Sequence, residues 1–357
     1  SPIALPPFDN SAMGGYAVRA VDVGGPPVTL PIAGDIPAGT TRVSPLAPGT
    51  AQRIMTGAPV PPGADAVVPV ELTDGGTDRV VVRDAVAPGA HIRLAGEDVQ
   101  VGRVVLTAGT ELGAAQLGLA AAVGLADLPV RRPPRVLVLS TGSELVAPGT
   151  PLRHGQIYES NGVMLAAAVR TTGARPTLLR FVPDDVSALH SALADHLSTV
   201  DLILTSGGVS AGAYEVVKDA FAGNGVDFRK VAMQPGMPQG AGRYRGVPVV
   251  TLPGNPVSAQ VSFEVFVRPA LRAAMGHAAP CPPRTTARVT QALASPAGRR
   301  QFRRGRLDQL AGTVSPIGGP GSHLLSSLAL ANCLIEIAEP ITAVSAGDEV
   351  SVLPLTT

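Results

Sequence analysis

At 357 residues the chain is too long for one average domain and long enough to bury a sizeable core. Its net charge of +1, from 28 basic and 27 acidic side chains, supplies no overall attraction to nucleic acid or to a membrane surface. Two cysteines, Cys281 and Cys333, can build neither a disulfide framework nor a zinc site, which fits a reducing, cytoplasmic compartment. Gly (41) and Pro (35) make the chain rich in turns, while a hydrophobic share of 45% excludes a disordered tract.

From residue 1 to Asp98 the segments are short and β-like. Arg79-Val-Val-Val-Arg83 is typical, set between turns such as Pro61-Pro-Gly63 and Ala87-Pro-Gly89, so residues 1–98 read as a β-rich module. Residues 99–134 read as a connector: a strand pair, a Gly/Ala-rich helix over 113–124, and a strand ending at Pro133-Pro134. The most membrane-like stretch, Gly113 to Leu128, is short, rich in small residues and carries Asp127, so a packed helix is expected there.

Across 135–280 strands and helices alternate. Strands at Val136–Ser140, Thr177–Val182, Asp201–Thr205 and Val247–Leu252 are each followed by helical spacing, from Asn161, Asp185, Tyr214 and Val257. That order implies an α/β layer with a mostly parallel sheet, whose ligands bind beyond the carboxyl ends of the strands. Residues 281–357 return to strands and read as a small β domain.

The strand-to-helix turn Ser206–Ala213 carries the strongest change of period. Gly207, Gly208 and Gly212 let the backbone curl and present N–H groups beside a helix N-terminus, where an anion such as phosphate binds. Ala213 and Tyr214 stand where a Walker A loop needs Lys and Ser/Thr, and the Gly-x-Gly-x-x-Gly order is missing, so neither a P-loop nor a dinucleotide fingerprint is present. A ligand-free tight turn is the competing reading; the hydroxyls of Ser206 and Ser210 weigh against it.

Other loops follow strands of the same sheet. Ser140, Thr141, Gly142 and Glu144 offer hydroxyls, a permissive glycine and a carboxylate, although a loop Glu is more commonly a plain surface charge. Asp184 is at least as well explained as a helix cap. In Leu252-Pro253-Gly254-Asn255-Pro256-Val-Ser258, Asn255 fits an N-cap and Pro256 the first helical position, which leaves Ser258 in the first turn unexplained by capping. Lys230 and Lys218 are the chain's two lysines, and Lys230 sits where an ammonium could meet a phosphate. The run Arg299, Arg300, Arg303, Arg304, Arg306 reads as a solvated strand face rather than a nucleic-acid surface.

Taken together and in order, Leu5–Met13 with Gly15-Tyr16-Ala17, Arg53–Asp65, Gly96-Glu97-Asp98, Ser140–Leu145, Ser160-Asn161, Thr205–Gly212 and Leu252–Ala259 resemble the MoeA/gephyrin family of molybdopterin molybdenumtransferases. The resemblance implies a multidomain α/β plus β fold: a β-rich N-terminal module, a connector domain, a molybdopterin-binding α/β domain and a C-terminal barrel-like β domain, assembled as an elongated homodimer. Members carry a helical segment before the Pro-Phe-Asp-Asn-Ser motif, so it also implies a trimmed or incomplete N-terminus.

The family's reaction joins adenylylated molybdopterin and molybdate, with Mg²⁺, to give molybdenum cofactor and AMP. By resemblance the Ser206–Gly212 turn, Lys230 and the Pro253–Ser258 turn hold the pterin phosphate and adenylate, joined by Ser140, Thr141 and Gly142. Glu144, Asp98, Thr56 and Asp184 match positions tied to catalysis, and Asp184 with Glu215 are the Mg²⁺ candidates. Arg304 and Ser322 match the molybdate side; Asp9, Asn10 and Ser11 are placed at a dimer-side wall of the site. A molybdopterin adenylyltransferase and molybdenum-enzyme apoproteins are the implied partners. Three departures stand out. Gly14 replaces the Asp of Ala-Met-Asp-Gly-Tyr-Ala, Glu215 replaces an Asp, and Gln234 and Met237 replace the two lysines of Lys-Pro-Gly-Lys-Pro. They leave open a weakened paralogue that acts as a molybdopterin-binding or scaffold protein. A third reading, the related adenylyltransferase, would not need the flanking β domains.

Overall fold

Residues 1–182, 185–208 and 216–355 are described by the structure, a computed structural model. The chain divides into two units, Ser1–Pro129 and Val130–Thr357.

In the first unit, β-branched runs between Gly/Pro turns form β1 (Gly15–Val18), β2 (Val28–Ile36), β3 (Ala51–Ile54), β4 (Ala66–Pro69) and β5 (Arg79–Val82), in the spatial order β4-β1-β3-β2-β5. Alternation sorts side chains to two cores: Tyr16, Val18, Leu30, Val68 and Val80 pack on one face, Ala17, Ile36, Ile54 and Val67 on the other. Gly15 has no substitute, because a Cβ there would lie 2.0 Å from the Val68 carbonyl oxygen.

The region 99–134 corrects one expectation. The helix forms as α1 (Ala114–Ala122), but among the described residues there is neither a strand pair nor a strand into Pro133-Pro134, only a bridge between Leu5 and Val99. Gly102 and Gly109 take positive φ in turns, and prolines 129, 133 and 134 remove ladder donors, so apolar content alone does not make strands here.

The second unit begins with an alternating layer. Its strands are β6 (Arg135–Thr141), β7 (Arg175–Val182), β8 (Leu202–Ser206), β9 (Val226–Lys230), β10 (Pro238–Tyr244) and β11 (Val247–Leu252). The order is β7-β6-β8-β11-β10-β9; the first four run parallel, while β10 and β9 add as an antiparallel edge that the sequence pattern did not disclose. Helices α2 (Asn161–Thr171), α3 (Val186–Ala194), α4 (Val216–Phe221), α5 (Pro256–Ser262) and α6 (Arg268–Ala274) cover both faces. On one, Leu165, Val169, Phe263 and Leu271 pack on Val136, Val138 and Leu204; on the other, Leu189, Leu193, Val217 and Phe221 pack on Leu137, Leu139 and Ile203. Both faces of the parallel strands are thus buried, as their continuous apolar runs require.

At the C-terminus β12 (Thr285–Val289), β13 (Arg300–Asp308), β14 (Thr313–Pro316), β15 (Cys333–Ile337) and β16 (Glu349–Pro354) close on themselves in the order β13-β14-β12-β16-β15-β13. Leu307, Val314, Cys333, Ile335 and Val352 fill this five-stranded barrel. Met233 and Gln234 add alongside β13 in parallel, and Met233, Val257, Phe302 and Leu334 form a shared core between the α/β layer and the barrel.

The arginine run is a solvated face only at Arg299 and Arg306, which are exposed. Arg303 and Arg304 are buried, and Arg300 pairs with Glu336 at 2.8 Å and Glu339 at 3.1 Å. β13 is hydrogen-bonded to β14, β15 and the 233–234 segment, so its central residues have neighbours on every side. Among the described residues no helix is long and apolar enough to cross a membrane.

Candidate functional site

Strand order places the site. The chain enters the sheet at β6, moves outward to β7 and returns to the opposite side of β6 at β8, so a crevice opens beyond the carboxyl ends of β6 and β8. Ser140 and Ser206 are register partners at those two ends, both buried, with hydroxyls 3.5 Å apart. A cavity of about 830 Å³ begins there.

Of the residues singled out in the sequence, Ser140, Thr141, Glu144, Ser206, Gly207, Gly208, Pro253, Gly254, Asn255, Ser258 and Ser322 line it. Gly207 and Gly208 lie at φ +97° and +65°; a Cβ on Gly208 would sit 2.9 Å from the Val217 side chain. Gly254 approaches Gly207 so closely that a Cβ on it would stand 3.4 Å from the Gly207 Cα, and Asn161 Nδ2 donates to the Gly254 carbonyl at 2.6 Å. Two glycine turns from different strands are thereby locked side by side. Asn255 occupies the N-cap position of α5 and Pro256 its first residue, yet the Asn255 side chain makes no capping bond. It is left to face the cavity it lines.

Glu144 is exposed and folds back over Gly142: its Oε2 would be 2.6 Å from a Cβ at that position. Gly142 therefore acts by leaving room for the carboxylate. Lys230 ends β9, exposed, and does not line the cavity, although its cross-strand partner Pro238 does. Arg304 stands behind the wall rather than in it, donating to the Gly319 carbonyl and, at 3.0 Å, to that of Gly321, while Arg303 donates to the Gly318 carbonyl at 3.2 Å. Burial lowers the pKa of both guanidinium groups, and neither Nε has a partner. The loop they hold carries Ser322, whose carbonyl accepts from Val257 N at 3.1 Å. Asp184, Ser210, Gly212 and Glu215 lie outside the described residues.

Five further residues belong to the first unit. Thr56 lines a separate concavity of about 340 Å³ with Gly14, Gly15 and Arg53. Asp98 is exposed. Asp9 Oδ1 accepts from Ala95 N at 2.7 Å, whereas Asn10 and Ser11 are buried and bond to local carbonyls, those of Phe8 (3.1 Å) and Met13 (2.5 Å). Their side chains hold a turn.

Sequence reasoning passed over Glu159. It is 2% exposed and lines the large cavity; Oε1 accepts from the Ser140 hydroxyl at 3.0 Å and Gly162 N at 2.6 Å, while Oε2 has no partner. The available signal was its place: an acid at a strand end, directly before the Ser160-Asn161 helix start. Among the described residues no group of three or more His, Cys, Asp or Glu side chains forms a metal cage. Mg²⁺ does not need one, since it is held by one or two carboxylates with water and substrate phosphate. The hard oxygen donors of Glu144 and Glu159 fit that coordination.

Comparison with known proteins gives a consistent picture. Residues 1–124 match the family described as MoeA N-terminal region (domain I and II), 137–273 the probable molybdopterin binding domain, and 286–355 the MoeA C-terminal region (domain IV). The chain is 58% identical over 367 residues to molybdopterin molybdenumtransferase 2 of Mycobacterium tuberculosis, covering 100% of this chain and 91% of that protein. It is 40% identical over 377 residues to molybdopterin molybdenumtransferase 1 of the same organism, covering 98% and 88%. The crystal structure of a molybdopterin biosynthesis MoeA protein from Pyrococcus horikosii superposes with a TM-score of 0.82 at 33% identity, over 99% of this chain and 89% of that one.

Proposed function

The chain belongs to the MoeA family, and on that premise we propose that it is a molybdopterin molybdenumtransferase that inserts molybdenum into adenylylated molybdopterin and releases AMP. The observation that carries this reading is the cavity at the ends of β6, β8 and β11, where two locked glycine turns and the hydroxyls of Ser140, Ser206 and Ser258 converge.

Gly207 N already donates to the Leu252 carbonyl and Val257 N to that of Ser322, and Pro256 has no N–H, so the backbone donors for phosphate oxygens are those of Gly208 and Ser258, and the hydroxyls complete the cradle. Glu144, the exposed carboxylate at the rim, accepts a proton from the water that forms the new bond to the adenylyl phosphorus, while the phosphoanhydride bond breaks and the pterin phosphate leaves, so that AMP is released. Ser322, held from behind by the Arg304-braced loop, lies on the molybdate side, with molybdate as substrate. Mg²⁺ would be held by Glu159 together with water and substrate phosphate, and would supply neutralisation of the phosphate charge. Thr56, Asp98 and Asp9 to Ser11 serve the same reaction from the first unit, in a cytoplasmic homodimer that takes substrate from a molybdopterin adenylyltransferase and passes product to molybdenum-enzyme apoproteins. The direct test is incubation with adenylylated molybdopterin, molybdate and Mg²⁺, following AMP. Failure to release AMP while the substrate still binds would favour the second reading, a molybdopterin-binding or scaffold protein, for which Gly14, Gln234 and Met237 are the specific motive. Light scattering that finds a monomer at micromolar concentration would remove the dimer from the proposal.

A further inference from the structure

The charge lining the large cavity is the reverse of what a phosphate ligand calls for. Glu144 and Glu159 line it, and among the described residues no Lys, Arg or His does. Gln234 and Met237 occupy the wall between β9 and β10 as neutral side chains, and Gln234 is tied by its Oε1 to Gln301 Nε2 at 3.3 Å. The buried cations Arg303 and Arg304 do not line the cavity and direct terminal nitrogens to the carbonyls of Gly318, Gly319 and Gly321.

A phosphate entering alone would meet the carboxylates of Glu144 and Glu159 with no side-chain cation in the lining, among the described residues, to offset them, and the repulsion is least screened at the buried Glu159. A cation entering alone fares no better, because no group of three protein ligands is assembled among the described residues. It would find one buried carboxylate oxygen, Glu159 Oε2, already desolvated and without a partner, and needs oxygens from elsewhere to complete its shell.

We propose that in this chain a divalent cation and the phosphate-bearing ligand bind cooperatively, each raising the other's affinity, with Glu159 as the cation's buried carboxylate and the absence of basic groups at Gln234 and Met237 as the cause of the coupling. The inference rests on the phosphate assignment of the cavity and deepens it. Coupling between two ligands is reciprocal, so each must raise the other's affinity by the same factor.

Calorimetry on the full chain tests this with AMP and Mn²⁺ as probes. AMP affinity is expected to rise about 10-fold or more when EDTA is replaced by Mn²⁺, and Mn²⁺ affinity to rise by the same factor when AMP is present. Glu159→Gln keeps an acceptor for Ser140 and Gly162 N but removes the charge. It should raise AMP affinity in EDTA and lower it in Mn²⁺, compressing the factor from both ends, which loss of a merely structural contact would not do. Glu144→Gln, at an exposed position, serves the same purpose if Glu159→Gln fails to fold. Gln234→Lys should strengthen metal-free AMP binding and shrink the coupling. AMP binding that is indifferent to EDTA overturns the inference and leaves the proposed reaction standing; no AMP binding under either condition overturns the cavity assignment and the inference together.

Discussion

Two concavities, one in each unit, use similar parts with opposite charge. Both are edged by glycine turns and carry hydroxyls, but the large one in the second unit has two carboxylates and no base among the described residues, whereas the small one in the first unit has Arg53 and no acid. Gly14, where the resemblance to the family motif expects Asp, adds no side chain to the second balance. The difference teaches that glycine and hydroxyl content makes a surface capable of close approach to a ligand, while a few charged positions decide which ligand charge is welcome there.

The largest effect is expected from breaking the large cavity's backbone. Gly208→Val places a branched side chain at φ +65° against Val217, where a Cβ already comes to 2.9 Å. Turn and helix must separate, misplacing the phosphate donors by an ångström or more, and AMP release should fall by about 10²-fold or more. Circular dichroism of the variant controls for folding; an intact protein with undiminished release would remove this turn from the reaction.

Restoring the missing acid sharpens the comparison from the other side. Gly14 lies outside the left-handed region, and a Cβ there would meet only the Thr56 hydroxyl at 3.8 Å, so Gly14→Asp is accommodated. If that carboxylate acts in the transition state, release of AMP should rise by up to about 10²-fold with AMP affinity nearly unchanged. A folded variant with unchanged turnover would mean that another residue has taken the role or that the chain is the non-catalytic binder.

These two positions also mark how far the sequence could be read. Alternating apolar runs and helical spacing disclosed the α/β layer, and its strand-end loops supplied most of the lining, because ligand position in such sheets follows from topology. Lys230 and Arg304 were legible as cations but not as to where they point: one ends an edge strand in solvent, the other braces a wall from behind. Glu159 was illegible for the opposite reason. An acid before a helix start looks like an ordinary cap, and only its burial and unpartnered oxygen distinguish it. The β10/β9 edge and the strandless connector were missed because Gly- and Pro-rich stretches give the same weak pattern whether or not a neighbouring strand accepts them.

A smaller effect is expected at the wall itself. Arg304→Met removes a buried cation that has no resolved carboxylate partner, so the lost hydrogen bonds are offset by relief of desolvation, and stability should move by only about 1 kcal/mol. The loop carrying Gly321 and Ser322 loses its brace, and turnover should drop about 10-fold through looser positioning. Thermal denaturation and AMP release, measured on the same preparation, separate the two; a large loss of stability with normal turnover would make Arg304 a folding residue only.

The smallest effect on ligand binding and turnover lies away from both concavities, where a titration should alter the fold's stability and not its ligands. Cys333 is buried inside the barrel, and burial pushes its thiol up to about 11 from an ordinary value of 9.0. A raised folded pKa means that the neutral thiol is favoured in the native state, so the contribution is fully present below the unfolded value and is lost as pH rises towards 11. Between those two values denaturant midpoints should fall with pH, and Cys333→Ala should flatten that slope after its own packing loss is subtracted. Cys281, which is exposed, provides the internal contrast: it should react with a thiol reagent in the native protein at pH 8, while Cys333 reacts only once the barrel opens. Equal labelling rates at the two sites would show that the barrel breathes on the labelling timescale, and an unchanged slope in Cys333→Ala would assign the alkaline loss of stability to other groups.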